Sequence, residues 1–421
     1  MSNNFSKEEV VAFEQLLEGF QDALVLSRNV SIYRADQTTL ERASNIIWRP
    51  QPYIMTSHDG TDATSYFLDK TQLSVPTRLG YSKFSAWTMT ATELRDALQE
   101  QRLGSSARDK LASDINVSVN NVAALQGTLV VKRGTATGYD DAAQIDSLMN
   151  EQGVNGGDRY WALSSRDYNN MAKDLANRYN MTPGKVQTAY ERNAVGMISG
   201  LDTYKMDYPV RLAAAAGGGA LTIDTQASAS NYYVPVATST ASTGEVSNVD
   251  NRYQTITVSA TTNVAAGDCF AVAGINAVHH ITKTDTGQLK TYRVISVDSG
   301  TTMTISPPII SNQGESEAEA MYKNCVVTES ASAAIVFLNT VAAAVNPFWH
   351  KDAIQLMPGR YAVPADAGVA VIRASTDQGI ELVMQKFYDI NTMKVKYRVD
   401  TLYGVTMVQP EMAGIALFNQ T

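Results

Sequence analysis

A change of texture near the middle of the chain limits what it can fold into. Residues 1–212 mix helical and strand spacing. Then comes Ala213-Ala214-Ala215-Ala216-Gly217-Gly218-Gly219-Ala220, a tract too poor in side chains to build a core and rich in backbone freedom. Roughly 125 residues of short strand-like runs and polar turns follow, and helical texture resumes near Ser330. The pattern is that of one host domain carrying an all-β insert, with Gly217, Gly218 and Gly219 as the hinge into it.

The chain has 421 residues, 44% of them hydrophobic, enough for two or three domains with a substantial core. A net charge of -8 and a pI near 5.2 oppose non-specific duplex binding, because neutralising phosphates needs a basic surface. No uninterrupted apolar run approaches the roughly 20 residues that cross a bilayer, and the first seven residues lack an apolar signal core. The expectation is a protein that matures in cytoplasm and has no membrane partner. Cys269 and Cys325 are the two cysteines. In a reducing compartment they read as small buried hydrophobes rather than a disulfide.

Along the chain, Ser6-Lys7-Glu8-Glu9 fits a capping box, with a hydroxyl at the N-cap and a carboxylate three residues on. Val10, Phe13, Leu17, Phe20 and Leu24 follow at helical spacing, with Glu14, Glu18 and Asp22 on other faces. This is an amphipathic arm, either docked on its own domain or gripping a neighbour or a basic partner helix. Residues 45–90 have extended character. Asn45 to Pro50 opens the stretch, Leu73, Val75 and Leu79 close it, and His58, Asp59, Gly60, Asp62 and Asp69 lie between. That suits a long two-stranded loop projecting from the body. Asp59, Asp62 and Asp69 lack EF-hand spacing and its closing Glu, so a solvated tip is the better reading than a Ca²⁺ site.

Thr92 to Gln126 is the longest helical stretch, with Leu103, Ala107, Leu111, Ile115, Val119, Val122 and Leu125 recurring every three or four residues and Gly127 as C-cap. Helices are expected also over about 166–179 and 184–195, with Pro183 at the start of the second. Tyr253 to Ser259 alternates with period two, and Tyr292–Val297, Asp298-Ser299-Gly300 and Thr302–Ile305 predict a hairpin, within a small barrel or sandwich. The Ser/Thr/Ala-rich tract 237–248 predicts an exposed loop. Ala331 to Ala344 predicts a small-residue helix, and Gly368–Arg373 and Val395–Val405 predict strands of the host.

The chemistry-bearing residues do not converge. His279 and His280 are adjacent, so on a strand they point to opposite faces, and no Cys or His stands at zinc spacing nearby. The glycine tract lacks the Lys-Ser/Thr of a phosphate loop. Ser105-Ser106 and Ser164-Ser165 lack a nucleophile-elbow setting. Asp140 and Asp141 are neighbours that face apart, and Trp48, Trp87, Trp161 and Trp349 are widely spread and suit core positions. No catalytic, cofactor or metal site is expected, and the chain suits a building block better than an enzyme.

Specific segments carry a family resemblance. Arg42-Ala43-Ser44-Asn45-Ile46-Ile47-Trp48, Leu94-Arg95-Asp96 with Ser106-Ala107-Arg108-Asp109-Lys110-Leu111-Ala112, Val249-Asp250-Asn251-Arg252 with Val258-Ser259-Ala260-Thr261-Thr262, Asn346-Pro347-Phe348-Trp349 and Tyr403-Gly404-Val405 occur in order along the chain. In these it resembles the major capsid (coat) proteins of short-tailed bacteriophages of the lambdoid Salmonella and Shigella type. The resemblance implies an α+β Hong Kong 97-like capsid fold. Its parts would be an N-terminal arm (1–35), an extended E-loop region (36–91), a P-domain with the spine helix and the first part of an A-domain (92–216), an inserted β-barrel or Ig-like, telokin-like domain (217–330), and the A/P remainder (331–421).

It further implies self-assembly into pentamers and hexamers of an icosahedral shell, a scaffolding protein that directs a procapsid, a portal protein, and expansion as double-stranded DNA is packaged. The DNA would be held only non-specifically. Assembly would take place in the bacterial host cytoplasm. Under this reading Glu14, Glu18 and Asp22 of the arm contact scaffold or a neighbour. His58, Asp59, Asp62 and Lys70 lie on the E-loop across a neighbouring subunit. Glu245, Asp250 and Arg252 belong to a D-loop reaching the adjacent capsomer. Lys70 is not marked as reactive, and no covalent lattice is expected. The competing reading is a carrier whose β insert binds a ligand or receptor through Tyr232, Tyr233 and Tyr253.

Overall fold

The computed structural model describes residues 5, 7–34, 45–52, 55, 57–62, 64, 67, 70–90, 92–93, 97–177, 195–216, 221–223, 233–314, 316–328, 332–363 and 368–421. The chain divides into two units. The expected hinge glycines Gly217, Gly218 and Gly219 and the expected helix over 184–195 lie outside the described residues for the most part, with only residue 195 inside.

The first unit comprises residues 1–47, 77–120 and 354–406. Helix α1 (Lys7–Ala23) buries Phe13, Leu16 and Phe20, and Leu24 follows just past its end. Leu16 belongs to this stripe; Val10, expected in it, is exposed, and Leu17 is half-buried. The unit's sheet orders Ser31–Ile32, Ile354–Pro358, Lys394–Met407, Glu381–Asp389 and Ala370–Ser375, with Tyr81–Thr90 pairing Lys394–Met407. Tyr81 stands opposite Tyr403 and Trp87 opposite Tyr397, and both pairs stack, at 5.3 and 5.6 Å between centroids. Tyr81–Thr90, expected in the projecting loop, is thus a strand of this sheet.

Helix α2 (Ala97–Gln126) is the expected long helix, with residues through Asn120 in this unit. Ala107, Leu111, Ile115, Val119 and Val122 are buried as their spacing predicts, whereas Leu125 is exposed. Tyr403 ties the sheet to this helix: its hydroxyl donates to Asp114 O at 3.2 Å and lies 3.0 Å from Ser118 Oγ. Burial pushes its phenol up to about 12.

The second unit comprises residues 48–76, 121–353 and 407–421. A six-stranded sheet orders Leu129–Lys132, Ala413–Leu417, Asn346–His350, Arg159–Ser164, Leu201–Met206 and Met197–Ile198. Helices α3 (Tyr139–Glu151) and α4 (Ser165–Asn177) pack on it, burying Ile145, Met149 and Met171 against Trp161, Phe348 and Phe418. Arg159–Ser164 is buried at every position, as expected for a strand covered on both faces. Gly127 ends α2, but not through a left-handed cap. A Cβ there would lie 2.8 Å from Ala123 O, in the last turn of α2, and 3.0 Å from Gly414 N, so that turn and the close Ala413–Leu417 strand together demand glycine.

The same unit holds a seven-stranded β-structure. Its order is Thr222–Ile223, Ala333–Phe337, Cys269–Val278, Asp285–Val297, Thr302–Ser306 and Gln254–Thr257, with Cys325–Val327 also on Cys269–Val278. A bridge from Ile223 to Val258 joins the two ends of this order, and Ser259 N donates to Thr222 O at 2.9 Å. Closure into a barrel leaves no long free edge among the described residues. Ile256, Phe270, Val272, Tyr292, Val294, Met303 and Ile305 fill it, with Cys325; Cys269 lies in a neighbouring cluster. Both cysteines are free and buried.

The helix expected over Ala331–Ala344 is not formed. Ala333–Phe337 is a barrel strand in which Ala333 and Ile335 are buried and Ala334 and Val336 exposed, and Ala343–Ala344 is a short strand paired with Arg211–Leu212. Pairing with Thr222–Ile223 and Phe270–Val272 overrides alanine's helix propensity. Arg293, fully buried on the barrel, donates from Nη2 to Ala124 O at 2.7 Å and from Nη1 to Cys269 Sγ at 3.0 Å. A cation is thereby placed at the C-terminal, electronegative end of α2.

Candidate assembly surfaces

The arm presents its acids to solvent. Glu14, Glu18 and Asp22 are exposed and spaced four apart, hence on one face of α1, with exposed Val10 and Val11 beside them. Asp22 stands 4.0 Å from Arg28, too loosely paired to neutralise the face. The arm is pinned on its other side. Glu9 takes a hydrogen bond from the Tyr397 hydroxyl at 3.2 Å and an ion pair from Lys386. The capping box cannot be followed to its N-cap, because Ser6 lies outside the described residues.

In the loop, Ile46–Pro50 pairs with Ser74–Arg78, and His58, Asp59 and Asp62 lie exposed beyond this ladder. Asp62 Oδ1 accepts from Thr64 N at 3.0 Å and Thr64 Oγ1 at 2.6 Å, and these bonds hold its carboxyl below the usual range. Lys70 Nζ sits 2.7 Å from Glu317 of the short helix α5 (Glu317–Tyr322). Asp69 is outside the described residues. Two apolar side chains stand out in water: Phe67 is 86% exposed and Met55 54%.

The 237–248 tract is not a shapeless loop. Thr238–Thr240 pairs with Val246–Asn248 in an antiparallel ribbon, every residue of it exposed. Its turn closes with Ala241 N donating to Glu245 O at 2.8 Å and Gly244 at a φ of 86°. Glu245 is therefore at the tip. Asp250 and Arg252 are at the root and engage each other: Nη2 to Oδ2 at 2.6 Å and Nε to Oδ1 at 2.9 Å. Arg252 Nη1 also donates to Met407 O, and its guanidinium lies 5.1 Å over the Tyr253 ring. Asn251 completes the root, taking bonds from Val236 N and the Tyr233 hydroxyl at 3.1 Å and donating to Val236 O at 2.8 Å. Tyr233 and Tyr253 are thus half-buried parts of this root; Tyr232 is outside the described residues.

Sequence reasoning missed Asn251, whose spacing from Val236 and Tyr233 gives no local signal, and a second apolar surface on the first unit. There Phe84 and Phe387 are exposed on the sheet, and Ile390 and Met393, at the turn between the antiparallel strands Glu381–Asp389 and Lys394–Met407, are 79% and 59% exposed. The Asp389-Ile390-Asn391-Thr392-Met393 turn, with two large apolar residues among turn formers, was the available signal. Among the described residues no group of His, Cys, Asp and Glu could hold a metal ion.

Exposed arms, loops and ribbons on rigid sheets suit a subunit that works by contact with others. Three solved structures illustrate the likeness. A capsid of the cyanophage P-SCSP1u is 10% identical over 94% of this chain and 89% of that one, with a TM-score of 0.45. A Mycobacterium phage Che8 structure is 9% identical over 93% and 90%, at 0.42. The CUS-3 coat protein I-domain is 37% identical over 30% of this chain and 99% of that one, at 0.22. The class follows from a match over the whole chain: this is a bacteriophage major capsid protein of Hong Kong 97-like α+β fold, a subunit of an icosahedral shell. The matching family model is described as P22 coat protein, gene protein 5, and spans residues 1–419; the chain belongs to that family.

Proposed function

We propose that this coat protein assembles as pentamers and hexamers into a procapsid directed by a scaffolding protein, in the host cytoplasm, and that the shell expands as DNA enters through a portal. The barrel, beginning beyond the 217–219 glycines, is the inserted domain of that subunit. The acidic face of Glu14, Glu18 and Asp22 receives a basic scaffold helix or a neighbour. The loop of His58, Asp59, Asp62 and Lys70, with Phe67 and Met55, lies on an adjacent subunit, and the apolar side chains Phe84, Phe387, Ile390 and Met393 offer it or another copy a seat. The 238–248 ribbon reaches the next capsomer through Glu245, while Asp250 and Arg252 hold its root.

The observation that carries the reading is this ribbon: a fully exposed two-stranded element with no core of its own, braced by a buried arginine. An isolated hairpin is marginal in water, so a braced one implies something to meet at its tip. The test is negative-stain electron microscopy of the chain expressed with and without its scaffolding protein. Uniform closed shells only with scaffold support the proposal; small oligomers in both samples refute it.

A further inference from the structure

In the second unit a cavity of about 50 Å³ lies where four stretches of chain meet: residues 51–52 with Leu73, the 152–154 turn after α3, the barrel, and the 409–412 turn. A single water needs roughly 10–15 Å³, so there is room for a few waters or one small ion. Its wall carries Arg252, His280 and Lys323, and one carboxylate, Glu411. Lys283 and Lys290 stand behind, close enough for their charges to act on Glu411.

The pairing of these groups is incomplete. Arg252 is occupied by Asp250 and Lys290 by Glu411. Lys283 Nζ donates to a carbonyl, Lys323 O, at 3.0 Å, and has no carboxylate partner among the described residues. Neither the Lys323 ammonium nor the His280 ring has a bonded partner among them. Asp285 is an acid whose charge reaches Lys323, and it is exposed and bonded to Asn276 and Gly287 N. Burial, with the charges of Lys290 and Lys323 working against the pull of Glu411, brings Lys283 down to about 8. The cavity wall also holds an acceptor without a donor, the buried Oε1 of Gln51. Surplus ammonium groups beside a cavity, plus one orphan acceptor, define the complement of an anion that can both accept and donate.

We propose that this cavity binds one small tetrahedral oxyanion, with hydrogenphosphate the best match. Its oxygens accept from Lys323 and His280, and its P–OH donates to Gln51 Oε1. Bound there, it ties the barrel to the 409–412 turn and the 152–154 turn. Sulfate at neutral pH has the charge but no donor, and binds more weakly.

The test is thermal unfolding of the full chain at pH 7 and constant ionic strength, with sodium phosphate replacing sodium chloride. The expected result is a saturable rise in melting temperature, with the apparent Kd for sulfate at least threefold weaker. Lys323→Met abolishes the rise and His280→Gln weakens binding tenfold or more, while Lys110→Met, at an exposed lysine on α2 paired with Asp114, leaves it unchanged. A short single-stranded oligonucleotide at equal phosphate concentration gives no saturable shift, because the cavity admits a group and not a chain. Equal responses of the wild type, Lys323→Met and His280→Gln, or a rise linear in phosphate, would mean an adventitious ion only and would overturn the proposal. So would an oligonucleotide response exceeding that of free phosphate. Isothermal titration of each variant at 20 °C reads the same site in the folded state, so a variant with lowered stability still returns an answer.

Discussion

Replacing Arg252 by methionine separates the root of the ribbon from its tip. The side chain is 7% exposed and engages three partners: a bidentate hold on Asp250, the carbonyl of Met407, and the face of Tyr253. A hydrogen bond to a charged group contributes about 1.5–3 kcal/mol, and breaking a buried pair costs about 3–5 kcal/mol because a charge is left behind. Asp250 is partly open, at 22%, so water takes up some of the loss. The expected destabilisation is about 2–4 kcal/mol, read as a shift in urea midpoint at unchanged slope. A double-mutant cycle with Asp250→Ala should return a coupling of about 1–3 kcal/mol. Glu245→Ala, at an exposed tip with no packing, should change stability by less than about 0.5 kcal/mol yet reduce the yield of closed shells. If Arg252→Met costs under about 0.5 kcal/mol, or if Glu245→Ala destabilises the subunit as much, the division into a structural root and a contact tip is wrong.

Further outcomes follow from the same structure. Lys283 has a folded pKa of about 8, below its unfolded value, so the unfolded chain holds more protons between those two values and stability rises with pH across that window. The gain, discounted for partial exposure, is about 1–2 kcal/mol, and Lys283→Met should remove it when urea midpoints are compared at pH 7.5 and 10. Phe348→Ala, in the core of the six-stranded sheet, should cost about 3–5 kcal/mol by the same assay. Gly127→Ala should cost about 1–3 kcal/mol, since its Cβ would press on backbone atoms of Ala123 and Gly414. Mature particles should run as monomers on denaturing gels, because Lys70 is held by Glu317; a ladder of multimers would contradict this.

What was legible in the sequence was whatever depends on neighbours along the chain. Period three to four placed α1 and α2, and period two placed Gln254–Thr257 and the Asp285–Val297 with Thr302–Ser306 hairpin, because burial on one face imposes those periods directly. Illegible were choices made by partners distant in sequence. Ala333–Phe337 has the composition of a helix and the alternation of a strand, and only pairing with residues far behind it decides between them. The Ser/Thr/Ala tract looked like a loop because a ribbon exposed on both faces has no apolar period to show. Its root could not be found from Asp250 and Arg252 alone. They looked like contact residues because charge pairs two apart carry no sign of burial, and Asn251 between them looked like any turn residue.

The same division explains how such a subunit can be both firm and correctable. In a closed lattice every interface recurs many times, so each can be weak and still hold collectively. Weak contacts discriminate only if they are presented in one geometry, since each freely hinged tip adds entropy that a shallow contact cannot repay. Under the contacts proposed above, the presenting elements are braced by internal bonds: the ribbon by Arg252 and Asn251, the arm by Glu9 on Lys386 and Tyr397, the loop end by Lys70 on Glu317. The groups at the tips, Glu245, the Glu14–Glu18–Asp22 face and Phe67, stay exposed, and the loose Asp22–Arg28 pair at 4.0 Å is the one such contact among them to another described residue. Strength is thus placed inside the subunit and adaptability outside it. Substitutions at the braces should lower subunit stability first and assembly second, and those at the tips should do the reverse.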